Sequence, residues 1–392
     1  MKRIGIYGGT FDPPHIGHVR AVQYALCALK LDALWVIPAS QSPGKSGDEP
    51  LATAQQRLDM TRLAMEDIPK VRVADLELCR QGVSYTADTL KEIRESCPNG
   101  EFVLLLGADK FLSFADWYKA EEILKNAELA VFFRGKYPKH QDILAQKEKL
   151  EAMGGKVTLL ENPVTEISST DVRRLLAFSC ADTFLPPKVA DYIQKSGLYG
   201  TGRSLKDLSE AQLEAVVKSL LKPNRVAHVL GCRDTAVAMA KRWGANETDA
   251  ARAGLLHDIT KALDGSLQLT LCNAYGIVLD DFSTRYPKTL HALTGSLVAD
   301  RIFGENEAVV SAIASHTTGT GNMNTLEEII YVADYMEPNR NFPGVEQLRR
   351  LAFEDLHGAM KLGLEMTLSM LQQQGSEVSP GSREALSWLQ SL

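Results

Sequence analysis

Six short runs of this 392-residue chain are apolar almost throughout, and all of them lie before Glu161. They are Arg3–Tyr7, Leu34–Ile37, Val71–Val73, Phe102–Leu106, Leu129–Phe133 and Val157–Leu160, separated by helical patterns such as the one that starts near Thr53. A strand with one wet face alternates apolar and polar side chains, whereas a strand covered on both faces does not. Continuous apolar strands alternating with helices therefore predict a doubly wound α/β domain built on a parallel sheet. In such a sheet ligands collect outside the carboxyl ends of the strands. That directs attention to Gly8–His18, after the first run, and to Gly107-Ala108-Asp109, after the most apolar one.

The first of these reads Gly8-Gly9-Thr10-Phe11-Asp12-Pro13-Pro14-His15-Ile16-Gly17-His18 and leads into a helical pattern, Val19–Leu26. It is a strand-to-helix turn. Glycines there let backbone N–H groups approach an anion, and the helix N-terminus adds partial positive charge. His15 and His18, spaced H-x-x-H where the helix opens, can both donate to that anion. The spacing fits neither the P-loop nor the G-x-G-x-x-G fingerprint. A second cradle is expected at Ile167-Ser168-Ser169-Thr170-Asp171-Val172-Arg173, where hydroxyls, N–H groups and an arginine gather at another helix start, suited to a triphosphate.

The eleven-residue motif resembles the signature of the T/H-x-G-H nucleotidylyltransferases, in the long form G-G-T-F-D-P-x-H-x-G-H of the nicotinate-nucleotide adenylyltransferases. The resemblance implies a Rossmann-like domain over residues 1–199 that joins ATP, carried with Mg²⁺, to nicotinate mononucleotide. It implies substrate contacts from Gly8, Gly9, Thr10, Phe11, Gly107 and Asp109, a pyridine enclosure around Ser84-Tyr85-Thr86, Thr89 and Trp117, and a grip on ATP by Ser168, Ser169, Thr170 and Arg173. Arg134 matches a family arginine near the mononucleotide. In the loop Pro38–Lys45 the family usually has a histidine before the lysine; this chain has Gly44, with Lys45 kept. Adenylyl transfer of this kind needs no protein nucleophile, so catalysis rests on positioning and charge from His15, His18, Lys45, Arg173 and the two helix termini.

The length exceeds what one core usually supports, so two domains are expected. A net charge of −6 lacks the basic excess that a binder of long nucleic acid needs. Six cysteines without a C-x-x-C pair read as reduced thiols, and no run approaches the length of a signal h-region or a membrane span. A cytoplasmic protein without membrane contact is expected, with a homo-oligomer left open. After a helix ending at Gly197 comes Gly200-Thr201-Gly202-Arg203-Ser204, a linker by composition.

Beyond the linker the strand signal stops, and residues 205–392 read as all-α. Ser209-x-x-Gln212 and Thr325-x-x-Glu328 each suggest a capping box, and Val226–Trp243 a helix that ends at Gly244. Of the eight histidines, His228, His257, His291 and His316 fall here beside small or apolar residues. His257-Asp258 follows an apolar helical run and would enter a bundle interior, where a buried carboxylate needs a cation. With Asp334 these make four imidazoles and two carboxylates, enough for two ions bridged by Asp258 and better suited to Fe, Mn or Zn than to Mg or Ca. The order H...HD...H...H...D resembles the HD-superfamily phosphohydrolases. The segments around Arg225, His228, His257-Asp258-x-x-Lys261, His291, His316 and Tyr331–Arg340 are similar to the YqeK group. That resemblance implies symmetrical hydrolysis of diadenosine tetraphosphate to two ADP, with iron as the native metal and Arg225, Lys261 and Arg340 near the polyphosphate. His140 and His357 match nothing and are expected at the surface. Two alternatives stay open: a transferase for another phosphorylated acceptor, such as nicotinamide mononucleotide or a pantetheine phosphate, and an HD domain that acts on other nucleotides or senses one without turnover.

Overall fold

The structure is a computed structural model, and it describes residues 1–40, 50–80, 83–132, 140–161 and 167–392. Lys45, Gly44 and Arg134 lie outside the described residues. The chain divides into two compact units, Met1–Arg203 and Ser204–Leu392. The division falls inside the Gly200–Ser204 stretch, where Gly200 and Gly202 both have φ near +80°.

The first unit is built on six parallel strands: β1 (Lys2–Gly9), β2 (Ala33–Pro38), β3 (Val71–Val73), β4 (Gly100–Gly107), β5 (Ala127–Phe132) and β6 (Val157–Leu160). Their order is β3-β2-β1-β4-β5-β6, the doubly wound arrangement in which the winding direction reverses between the two central strands. Those strands are β1 and β4, paired with Ile4 opposite Phe102 and Tyr7 opposite Leu105. The same register carried two residues on sets Gly9 beside Gly107, so both expected ligand segments leave the sheet side by side at its switch point. Ile6, Leu104, Leu106, Phe111 and Phe114 share one buried cluster with Ala87 and Leu90, and Trp117 packs against it. β1, β2 and β4 run one or two residues past the carboxyl ends of their apolar runs: Gly8 and Gly9 still pair with Ile37 and Pro38 of β2.

Among its described residues the second unit is helical throughout. The helix Glu210–Leu220 opens on the expected Ser209 capping box, and Pro223–Trp243 ends at Gly244 in the left-handed region. At Thr325 the sequence reading needs correcting. The helix runs Thr325–Met336, but its cap is Asn324, whose side chain accepts from Leu326 and Glu327 N–H groups and whose box partner is Glu327. Two overlapping cap patterns competed, and asparagine caps at least as well as threonine. Glu328, freed from that role, is buried and accepts from His357 Nδ1 at 2.7 Å. His357 is 57% exposed all the same, and His140 opens an exposed helix start.

Candidate active sites

In the first unit the helix Ile16–Ala28 begins directly after the motif, with His15 as its N-cap and His18 in its first turn. The His15 N–H donates to His18 Nδ1 at 3.2 Å, and the two rings stack at 3.7 Å between centroids. Phe11 packs edge-on to His18 at 5.0 Å and holds φ at +50°, a left-handed conformation that a bulky side chain adopts only when its surroundings impose it. Gly9 is part of that imposition, because a Cβ there would come within 2.9 Å of the Phe11 ring. At Gly8 a Cβ would meet nothing within 4 Å, so the backbone there faces open space, as an anion site requires.

Asp12 organises the turn. Its carboxylate accepts from the N–H groups of Leu51 and Ala52 at 2.9 and 3.1 Å and from the Tyr199 hydroxyl at 2.7 Å. Burial first, and then Asp12, push the Tyr199 phenol far above its usual range, so it stays a donor. Beside it Arg57, 2% exposed, donates to the carbonyls of Thr10 and Ala39 at 2.8 and 2.7 Å and locks the start of the motif against the end of β2. The second cradle is brought to the same place. The helix Ser169–Ala177 is capped by Ser168, while Ser169 Oγ donates to the Pro13 carbonyl at 2.9 Å and Arg173 donates to the Asp12 carbonyl at 2.6 Å. Thr170 Oγ1 accepts from Arg173 at 3.2 Å.

Asp109 lies exposed in the first turn of the short helix Ala108–Leu112, its carboxylate folded over Gly107, where a Cβ would come within 2.7 Å of Oδ1. Thr86 starts the helix Thr86–Ser96, and the Trp117 ring lies tilted against Phe114 at 5.1 Å between centroids. Thr89 is differently employed: its hydroxyl donates to the buried Glu77 at 2.8 Å and accepts from Arg80. Arg57 and Tyr199 were not legible as site residues. Nothing in the sequence says that an arginine in an ordinary helix, or a tyrosine just before a linker, turns into this loop.

In the second unit five helices deliver the charged cluster. His228 comes from Pro223–Trp243, His257 and Asp258 from the end of Glu247–Leu256, His291 from Leu290–Val298, His316 from the end of Glu307–Ser315, and Asp334 from Thr325–Met336. Each histidine turns Nδ1 to an acceptor. His257 faces the Gly254 carbonyl at 2.8 Å, His291 that of Lys288 at 2.8 Å, His316 that of Ile313 at 2.7 Å, and His228 the Glu337 carboxylate at 3.1 Å. A proton held on Nδ1 leaves the lone pair on Nε2, and all four Nε2 atoms turn inward.

Asp258 stands between them with its two oxygens facing different ways. Oδ2 lies 3.6 Å from both His228 Nε2 and His257 Nε2, while Oδ1 lies 3.5 Å from His291 Nε2 and 3.8 Å from His316 Nε2. Asp334 Oδ1 adds to the first group, 3.0 Å from His228 Nε2. Two metal-ligand sets result, His228–His257–Asp334 and His257–Asp258–His316. Burial alone would raise both carboxyls; the imidazoles packed against them, together with Lys261 beside Asp258 and Arg340 beside Asp334, hold both well below the usual carboxylate range. Burial lowers His257 to about 4 and His291 to about 3, so both are neutral at pH 7. Asp258 Oδ1 is buried without a hydrogen bond among the described residues. Neutral imidazoles with preset lone pairs, ionised carboxylates and an orphaned carboxylate oxygen together fit divalent metal ions.

Three cations border the cluster. Arg225 Nε donates to Asp258 Oδ2 at 2.6 Å, Arg340 donates to Asp334 Oδ1 at 2.6 Å, and Lys261 Nζ lies 2.7 Å from His291 Nε2. Glu337 was missed as a site residue: it is the C-cap of the helix that carries Asp334, and nothing in its residue type marks it as the partner of His228.

A parallel α/β unit with paired histidines at its switch point, followed by a helical unit with a His/Asp centre, defines a nucleotidylyltransferase joined to an HD domain. Residues 6–175 match the Cytidylyltransferase-like family and residues 225–339 the HD domain family. The chain belongs, through its first half, to the nicotinate-nucleotide adenylyltransferases: it is 34% identical over 200 residues to a probable nicotinate-nucleotide adenylyltransferase of Exiguobacterium sibiricum, covering 51% of this chain and all of that one. A probable nicotinate-nucleotide adenylyltransferase/Ap4A hydrolase of Mycoplasma pneumoniae is 27% identical over 374 residues, 93% of this chain and 99% of its own. A solved structure described as a predicted HD superfamily hydrolase involved in NAD metabolism, from Clostridium acetobutylicum, is 37% identical and covers 47% of this chain and 98% of its own, with a TM-score of 0.46. No helix among the described residues is long and apolar enough to cross a membrane.

Proposed function

We propose that the chain is a bifunctional enzyme, with adenylyl transfer from ATP to nicotinate mononucleotide in residues 1–199 and metal-dependent hydrolysis of diadenosine tetraphosphate to two ADP in residues 205–392. For the first activity the supporting observation is the convergence of two helix N-termini on one turn, tied together by the Ser169–Pro13 and Arg173–Asp12 contacts. A phosphate oxygen of the mononucleotide attacks the α-phosphorus of ATP, the α–β bridging bond breaks, and pyrophosphate leaves with Mg²⁺. His15, His18, Lys45, the helix termini and Arg173 align the two anions and neutralise the charge that develops. Gly8, Gly9, Thr10, Phe11, Gly107 and Asp109 form the floor of the site. Thr86 and Trp117 enclose the pyridine, Ser168, Ser169 and Thr170 hold the triphosphate, and the family resemblance assigns Arg134 a part in binding the mononucleotide.

For the second activity the carrying observation is Asp258, whose two oxygens address separate groups of imidazoles. A carboxylate can span two cations; an imidazole cannot. His228, His257, His291, His316, Asp258 and Asp334 would hold two divalent ions, iron being favoured and Mn or Zn the alternatives. Such ions supply positive charge to a phosphate and lower the pKa of water. Arg225, Lys261 and Arg340 bring three further cations to the rim, where they orient the polyphosphate. Attack by water at the second phosphorus from one end gives two ADP, and attack at the terminal one gives AMP and ATP.

The test supplies purified protein with ATP, nicotinate mononucleotide and Mg²⁺, then with diadenosine tetraphosphate and Fe²⁺ or Mn²⁺, and separates the products. Deamido-NAD with pyrophosphate, and ADP alone, are expected. Transfer to nicotinamide mononucleotide or a pantetheine phosphate in preference would overturn the first assignment, and AMP with ATP the second.

A further inference from the structure

The metal cluster is not symmetrical, although its ligand count suggests a matched pair. The side formed by His228, His257 and Asp334 has Asp258 Oδ2 and a whole second carboxylate. Behind it His228 Nδ1 meets Glu337 Oε1 at 3.1 Å. Glu337 is itself 1% exposed and fixed, because its other oxygen accepts from Asn339 N and Nδ2 at 2.7 and 2.8 Å. The chain makes room for it: a Cβ at Gly231 would run into this carboxylate. The other three histidines turn Nδ1 to neutral carbonyls rather than to a carboxylate, and His291 Nδ1 also lies 3.2 Å from Lys261 Nζ. A carboxylate behind an imidazole raises its basicity toward a metal and fixes its orientation.

On the far side, His291 and His316 have one carboxylate oxygen, Asp258 Oδ1, and His257, which also belongs to the first side, is the remaining metal-ligand neighbour of His316. There the atom that would ligate is already engaged: His291 Nε2 lies 2.7 Å from Lys261 Nζ and 3.0 Å from Thr317 Oγ1, which also lies 3.1 Å from His316 Nε2. Guanidiniums border the first side too, but they sit on carboxylate oxygens, which keep further lone pairs for a metal. An imidazole has one lone pair, so an ion can use His291 only once the lysine has withdrawn.

We propose that the two ions are held unequally. The one at His228, His257 and Asp334 is tightly retained with Glu337 as its positioning residue, and the one at His291 and His316 is weaker and exchangeable because Lys261 competes for the His291 nitrogen. This rests on the two-ion reading above. Free metal concentration would then set how much of the protein carries both ions.

Full-length protein stripped of metal is titrated with Mn²⁺ alone, without nucleotide, by calorimetry and by electron paramagnetic resonance of the free ion. Two binding classes at least tenfold apart are expected. Glu337→Gln should weaken only the tight class, by about 10–100-fold, and Lys261→Met should strengthen only the weak one. Two ions of equal affinity in the unaltered protein, or a Lys261→Met protein with an unchanged weak class, would overturn the inequality while leaving the two-ion reading intact. One ion or none at saturation would overturn both. Lys261→Met keeps the test open should Glu337→Gln fail to fold.

Discussion

His18 has two tasks in this structure, since its Nδ1 accepts from the helix cap while its ring lies against His15 and Phe11. His18→Ala should lower adenylyl transfer about 10²-fold or more, the loss typical of one preorganised donor. Hydrolysis of diadenosine tetraphosphate by the same preparation should be unaffected, and full transfer activity in the variant would remove His18 from the anion site. The histidines of the second unit act through pH instead. His257 is lowered to about 4 and His291 to about 3 by burial, against roughly 6.5 in an unfolded chain. Between those values the unfolded chain binds more protons than the folded one, so stability is full above about pH 6.5 and is lost as pH falls toward 4. Amide protection factors along Glu247–Leu256 of metal-free protein should therefore be lower at pH 5 than at pH 7. Equal protection at both would contradict the assignment of neutral, metal-ready imidazoles.

At the scale of elements, the sheet was legible because β1 and β4 are buried on both faces and their apolar runs show it directly. The helix cap at Asn324 was displaced by one residue, since two valid patterns overlap and only packing chose between them. The motif, the second cradle and the His/Asp set could be read from residue type and order. What could not be read was support supplied from far along the chain: Arg57 for the motif, Glu337 for His228, and Tyr199 for Asp12, 187 residues away. Such contacts depend on how elements return to one another, and a lone Arg, Glu or Tyr carries no sign of that. Tyr199→Phe should cost roughly 1.5–3 kcal/mol, the range for a hydrogen bond to a charged acceptor. The denaturation midpoint of the first unit should fall accordingly, and an unchanged midpoint would show that Asp12 does not rely on the phenol.

At the scale of the whole molecule each compact unit has its own proposed chemistry, with no residue shared. Under the proposed function the first would work with Mg²⁺ that arrives on ATP, and the second with divalent ions held by the protein. Protein stripped by a chelator and returned to Mg²⁺ alone should regain adenylyl transfer but not hydrolysis, which should await Mn²⁺ or Fe²⁺. Hydrolysis at full rate in Mg²⁺ would conflict with the mixed imidazole and carboxylate ligand set. Asp258 tests the division most directly, because its two oxygens face separate groups of imidazoles and it lies far along the chain from every transferase residue. In one experiment, unaltered protein and Asp258→Ala are analysed for bound metal and given both substrate sets, with the products separated by chromatography. Deamido-NAD is expected from both proteins, but ADP and about two bound ions per chain only from the unaltered one. An Asp258→Ala protein that retained two ions and still formed ADP would contradict the bridging role of Asp258.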